Sequence, residues 1–316
     1  MAVIALDLGG TKLSAALFYR HSEICYKHQQ ELGKWQGKEV GHLISNTVNE
    51  LLDKAQTLNE NVSAIGICVP GIAHAKTGKV WAPNIPGWDD YPLFEELQRS
   101  VNNEKINIKI DSDRACYILG EVWKGNARGC KDAIFLSVGT GIGAGILINN
   151  EVLRGSHDIA GAIGWMGLDR PFNQKYITCG DFEYNASGEG IANLAKEMLE
   201  DSLYHQSFLK KLNITSPSAK DVFIAYDKGD ELAKKIISNA IECWGMAVAN
   251  LVSLFNPEKI IFGGGVFGPA LYFLDDIYIE AKKWAQPISI QQVQLQASAL
   301  GSDAGLYGAG LLALRD

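Results

Sequence analysis

The six cysteines, at 25, 68, 116, 130, 179 and 243, include no pair at C-x-x-C spacing. That scatter argues against a disulfide framework and against a compact thiolate metal site, so a reducing cytoplasm is the expected setting. Basic residues are not in excess either. Lys and Arg number 29 against 36 Asp and Glu, a formal charge of −7, and a nucleic-acid-binding surface is not expected. No apolar run approaches the uninterrupted length of a membrane helix, and no basic stretch followed by an apolar core opens the chain, so neither a membrane span nor export is expected. Low-complexity tracts are missing as well. What remains is a globular composition, 47% hydrophobic and 21% charged over 316 residues, long enough for two domains.

The specific signal lies in glycine. Asp7-Leu8-Gly9-Gly10-Thr11-Lys12 sits between the apolar runs 3–6 and 13–18, which reads as strand, tight turn, strand. Backbone N–H groups of such a turn can face an anion. An aspartate at its mouth suits a divalent metal held directly or through water. Taken alone, the stretch is equally an ordinary hairpin. The pattern recurs at Gly139-Thr140-Gly141-Ile142-Gly143, between the apolar runs 133–138 and 144–148, and a third turn, Gly263-Gly264-Gly265, follows the strand 259–262. Two Gly-Thr turns facing each other would clamp a polyphosphate, and the third could let a flat base approach the backbone.

Around these turns the chain alternates strands and helices. Strands are expected at 3–8, 13–19, 23–30, 64–69 and 106–111, with amphipathic helices at 39–58, 93–101 and 113–125. The stretch 70–92 reads as a long functional loop. Beyond 133 come helices at 188–201, 218–227 and 231–254, and a last helix at 302–315. Repetition of the strand, turn and strand unit points to two related α/β domains.

This arrangement resembles the actin-like ATPase superfamily and, within it, the ROK family of sugar kinases and repressors. The resemblance is carried by Leu6–Lys12, Gly66-Ile67-Cys68-Val69-Pro70-Gly71, Ala82-Pro83-Asn84-Ile85-Pro86-Gly87-Trp88, Leu119-Gly120-Glu121, Gly139–Gly143 and Gly263-Gly264-Gly265-Val266. It implies two ribonuclease-H-like domains, 1–113 and 114–316, with an interdomain cleft and a last helix, 302–316, that returns to the N-terminal domain. It also implies ATP and Mg²⁺ as cofactors, a sugar as partner and a homodimer. The cofactor-binding residues are then Asp7 (Mg²⁺ through water), Gly9, Gly10, Thr11, Lys12, Gly139, Thr140, Gly141, Gly143 and Gly263 to Gly265. The family's Asn-Asp-x-Asn motif, whose Asp is the base, falls on Ser112-Asp113-Arg114-Ala115, making Asp113 the expected base. Asp111 is second choice, expected to pair with Arg114. Asn84, Ser112, Asp113, Trp165 and Glu183 are the expected sugar contacts.

The chain also departs from the family. Ala162 and Trp165 stand where a Glu-x-Gly-His group is expected, and Ser112 and Ala115 replace two asparagines. Trp165 has two readings, a stacking face for a pyranose or core packing. Of the family's cysteine-rich zinc loop only Thr178-Cys179-Gly180 remains, and one thiolate cannot make a four-ligand site, so no structural zinc is expected. His157, Asp158, Arg114 and Arg170 could supply replacement contacts for a modified sugar. The favoured reading is a glucokinase-like sugar kinase with altered specificity. A sugar sensor without turnover is the alternative. An actin-like activator or chaperone is disfavoured by the 82–88 loop.

Overall fold

The computed structural model describes residues 2–19, 21–212 and 216–315. Strand β1 (Ala2–Leu8) turns back as β2 (Lys12–Tyr19) and β3 (Ile24–Glu31). Helix α1 (Lys38–Thr57) then crosses to β4 (Val62–Val69), parallel to β1. The stretch 70–92 is not loop throughout: a small ribbon, β5 (Ile72–Ala73) with β6 (Val80–Trp81), interrupts it. Helix α2 (Leu93–Val101) leads into β7 (Asn107–Ser112), completing a five-stranded sheet in the order β3-β2-β1-β4-β7.

Helix α3 (Asp113–Trp123) connects to a second sheet that begins the same way, with β8 (Ala133–Val138) and β9 (Ile142–Ile148) antiparallel. Strand β10 (Glu151–Val152) follows through Asn149-Asn150. Both asparagines take positive φ, 50° and 65°, the conformation a tight two-residue hairpin needs. Next come α4 (Asp181–Ala186), α5 (Gly188–Met198), α6 (Phe208–Lys211), α7 (Ala219–Asp227) and α8 (Glu231–Phe255). Strand β11 (Lys259–Gly263), α9 (Leu274–Trp284), α10 (Ser289–Gln292), β12 (Gln294–Ala297) and α11 (Ala304–Leu314) end the chain. The second sheet has the order β10-β9-β8-β11-β12. Each sheet thus joins an antiparallel hairpin to parallel strands.

Strand alternation divides the buried side chains into three layers. Ile4 and Leu6 face outward against α1 and α2, while Val3 and Ala5 face inward. In the second sheet Ile134 and Leu136 pack outward against the helices of 181–285, and Phe135 turns inward. The inward faces of both sheets share one apolar layer with α3 and α11. Among the described residues one helix, α8, is long and apolar enough to cross a membrane by length and composition, although charged residues interrupt it. Its Leu232, Ile236, Trp244, Val248 and Val252 are buried in the outer core.

Three glycines set the depth of the shared layer. A Cβ on Gly66 would run into the Ala309 carbonyl, one on Gly120 into that of Ala304, and one on Gly308 into that of Cys116. Helix α11 therefore lies directly on β4 and α3, backbone against backbone. Substituting Gly66 by Val should force that contact apart. We expect a loss of about 3 kcal/mol, from overpacking with displaced backbone, read as a lower thermal midpoint, with Gly265→Ala, which adds a Cβ into open space, as the unperturbed control.

Candidate active site

The site forms where the ends of β1, β7, β8 and β11 meet the first turns of α3 and α11. Asp7, at the end of β1, places its carboxylate against the first turn of α11, 2.6 to 2.7 Å from where a Cβ on Gly305 would stand. A helix N-terminus favours an anion there, and the Cys68 thiol donates to the same carboxylate. Burial, and then the charge of Asp113, push the Asp7 carboxyl up to about 6.

Asp113 is the first residue of α3. Ser112 caps the helix, its Oγ accepting from Ala115 N at 3.3 Å, which leaves the hydroxyl proton free to donate. Burial pushes the Asp113 carboxyl up to about 6, while the Arg114 guanidinium and the Arg114 N–H, donating to Oδ1 at 2.8 Å, pull in the other direction. Two carboxylates are thus held near one cleft with little solvation, and each is close to half-ionised near pH 6.

Asp111 does not pair with Arg114 as expected. Its Oδ2 accepts from Arg154 Nε at 3.0 Å and Nη2 at 2.5 Å, and its Oδ1 accepts from Ser112 N at 2.8 Å. The reason is strand register: Asp111 lies in β7 with its carboxylate turned away from Arg114, whose Nη2 donates instead to the Gly71 carbonyl at 3.2 Å.

The glycine turns are brought together in part. In the first, Gly9 N donates to Lys12 O at 2.9 Å, and Thr11 is exposed. Asn84 Nδ2 lies 3.0 Å from where a Cβ on Gly10 would stand, so the 82–88 loop and this turn share one rim. In the second, Gly139 N donates to Gly141 O, and the start of α5 donates back through Gly188 N to Gly139 O at 2.8 Å. Glu183 Oε2 accepts from Ile142 N at 2.6 Å, tying α4 to the second turn. Burial raises this carboxyl above the usual range, against the pull of Ile142 N. In the third turn Gly264 takes φ +91°, and a Cβ on it would strike the Val138 carbonyl; only glycine fits.

Two hollows lie beside the second and third turns. One, of about 830 Å³, is lined by Gly139, Thr140, Glu189, Lys220, Phe223 and Gly265. The other, of about 400 Å³, joins Asp7, Tyr117 and Ser137 to Gly263, Gly264 and Gly265.

Trp165 is 58% exposed, so the core-packing reading of this residue falls. Its backbone is fixed by the one-turn helix Ile163–Trp165. Among the described residues no group of three or more His, Cys, Asp and Glu could hold a metal ion. The segment in the place of the zinc loop is tied instead by Asp181, which is buried. Its Oδ2 accepts from Leu168 N at 2.7 Å and Asp169 N at 2.9 Å, and its Oδ1 from Asn185 Nδ2 at 2.7 Å.

Sequence reasoning did not find Arg154, Cys68, Tyr117, Asp181 or Gly305. Each acts through a partner distant in sequence or through a cavity wall, and no local pattern marks it. If Asp181 holds the segment, Asp181→Ala should cost about 2 kcal/mol by removing the charged acceptor shared by the half-buried Leu168 N–H and the Asp169 N–H. A zinc-selective chelator should leave the wild-type melting midpoint where it is. Both are read by thermal denaturation.

The family model described as "ROK family" matches residues 3–316. A glucokinase from Halalkalibacterium halodurans is 32% identical over 98% of this chain and 94% of its own length. A ROK hexokinase from Thermus thermophilus superposes with a TM-score of 0.81 at 26% identity, covering 99% of this chain and 98% of that one. A ROK family glucokinase from Streptomyces griseus, solved in complex with glucose and AMPPNP, gives 0.78 at 26% identity, covering 100% of each chain. The two sheets, their shared helices and this match across the whole length place the chain in the ROK family, with the two-domain actin-like ATPase fold.

Proposed function

We propose that the chain is an ATP-dependent sugar kinase, passing the γ-phosphate of Mg-ATP to a hydroxyl of a hexose or hexose derivative. The observation that supports this best is Asp113, a carboxylate of raised pKa at a helix start, near enough to Asp7 at the end of β1 for its charge to raise that carboxyl. Full-length similarity to a glucokinase points the same way.

The residues fit the nucleotide and metal by chemistry. The hollow beside Gly139, Thr140 and Gly265 has the size of a nucleotide site. The poorly solvated Asp7 carboxylate, its ionisation made costlier by the charge of Asp113, is a hard-oxygen group that a divalent cation relieves. Asp7 would hold Mg²⁺ through water, and the ion would neutralise charge along the phosphates. Backbone N–H groups of Gly9, Gly10, Thr11 and Gly139 to Gly143 would cradle the phosphate chain, with Lys12 at the rim. Gly263 to Gly265 would lie against the adenosine.

Asp113 takes the proton from the attacking sugar hydroxyl. Asn84, Ser112, Glu183 and Trp165 orient the ring: Glu183 through its second oxygen, Ser112 through its free proton, and Trp165 through its exposed face. The chain divides at 113/114, and closing the two halves over both substrates excludes water from the γ-phosphate. Family resemblance adds a homodimer and a cytoplasmic setting to this reading.

In an ATP-coupled assay over a sugar panel, Asp113→Asn should lower turnover about a thousandfold while nucleotide affinity changes less than threefold. Unchanged turnover would remove Asp113 as base. Sugar binding by the wild type without any turnover would favour the sensor instead. The pH profile is a second check. Only the ionised carboxylate accepts a proton, and its pKa is raised to about 6. The ratio kcat/KM, which reports the free enzyme, should therefore be flat above pH 7 and fall well below 6 by about tenfold per unit for Asp113, and by up to about a hundredfold where Asp7, also raised to about 6, must be ionised as well.

A further inference from the structure

Arg114 follows the base in the first turn of α3 and is half-buried. Its Cδ lies 2.9 Å from where a Cβ on Gly143 would stand, just after the second glycine turn. Its Nη2 reaches the Gly71 carbonyl at 3.2 Å, on the loop after β4. The side chain therefore spans the cleft beside Asp113, from the second sheet to the first.

Its charge acts on Asp113, but among the described residues no carboxylate lies within ion-pair distance of it. Arg99, Arg154 and Arg315 each pair with a carboxylate, namely Glu95, Asp111 and Glu151. Arg128 and Arg170 are exposed. Among the described residues, Arg114 is the half-buried arginine with no carboxylate within ion-pair distance. A guanidinium carries five N–H donors, and the only acceptor recorded here is one neutral carbonyl. None of its nitrogens is sealed from solvent without a partner, so a ligand can reach them.

The surrounding carboxylates are already engaged. Arg154 neutralises Asp111, Glu183 is held by Ile142 N, and Asp158 accepts from Ala75 N at 3.1 Å. Asp113 lies in the field of Arg114 without an ion pair. Apolar groups stand on the second-domain side: Ala162 next to Gly161, and the exposed ring of Trp165. The carbonyl of Gly161 itself lies 3.8 Å from the position of a Gly143 Cβ, which puts Ala162 within the neighbourhood of Arg114. Beside the groups expected to meet sugar hydroxyls, Arg114 leaves a planar fork of donors with no anionic partner, which an all-hydroxyl ring does not match. A fork of that kind matches a carboxylate or a phosphate, two oxygens to two N–H groups.

We infer that the sugar phosphorylated here carries an anionic substituent, a carboxylate or a phosphate, and that Arg114 recognises it across the cleft. This rests on the sugar-kinase reading above. Burying the substituent against Arg114 meets the unmatched donors and places the ring beside Asp113 and Trp165. A neutral sugar leaves the same donors unpaired, the loss by which polar sites reject an analogue.

The test is an ATP-coupled assay of wild type, Arg114→Met and Arg114→Lys on glucose, glucuronate, gluconate and glucose 1-phosphate. Thermal midpoints of the variants check folding. We expect at least one anionic sugar to exceed glucose tenfold in kcat/KM. Arg114→Met should lose at least tenfold more on that sugar than on glucose, chiefly through KM, and Arg114→Lys should fall between. Which of the acids is used separates the carboxylate from the phosphate.

Preference for glucose over every anionic sugar would overturn the inference and leave the kinase reading intact. Equal losses on both kinds of sugar, in kcat, would also overturn it, since Arg114 would then act on the transferred phosphoryl. Phosphorylation of no sugar at all would overturn the kinase reading and this inference with it.

Discussion

The structure depends on how closely α11 can approach α3 and β4. Gly66, Gly120 and Gly308 each present bare backbone where a side chain would strike a carbonyl. Because those three positions are empty, one helix pair fits between two sheets and both sheets share a single apolar layer. The approach also sets the site. It brings the first turn of α11 against Asp7 and the first turn of α3 close by, so a carboxylate from β1 and one from α3 come near enough to interact. A bulkier contact would separate the sheets before it disturbed any residue that touches a substrate.

Electrostatics follow from that placement. Asp7 and Asp113 are poorly solvated, and burial is the main reason both titrate near 6. Each has a compensating donor that stops the carboxyl going higher: the Cys68 thiol for Asp7, the Arg114 charge and backbone N–H for Asp113. Asp111, one residue before the cap, is taken out of the chemistry by Arg154. The strand-to-helix junction therefore holds one neutralised carboxylate and one available base, two residues apart.

Much of this was legible in the chain. Strand, glycine turn and strand at 3–18 and 133–148 announce both sheets, because tight turns need particular residues and these are local. The first turn of α3 was readable as an acid at a helix start, which is local too, whereas the Ser112 cap came only with the structure. What could not be read were partnerships across the fold. Asp111 and Arg154 are 43 residues apart, and Asp181 reaches back to Leu168 and Asp169 from the next element. Helix α9 buries Ile277, Glu280 and Ala281 at helical spacing, but one of the three is charged while the apolar Ile279 and Trp284 are exposed, so the sequence pattern is blurred. Strand β12 is short and only partly buried. Exposure of Trp165 was a tertiary outcome, and both readings of that residue were open until the fold decided.

The central claim is that three turns, separated by more than a hundred residues each, act on one nucleotide. Hydrogen exchange with and without Mg-AMPPNP tests it most directly. The account predicts slower exchange at the amides of 9–12, 139–143 and 263–266 together, with little change along the outer face of α1. Protection at only one of the three turns, or none, would contradict it.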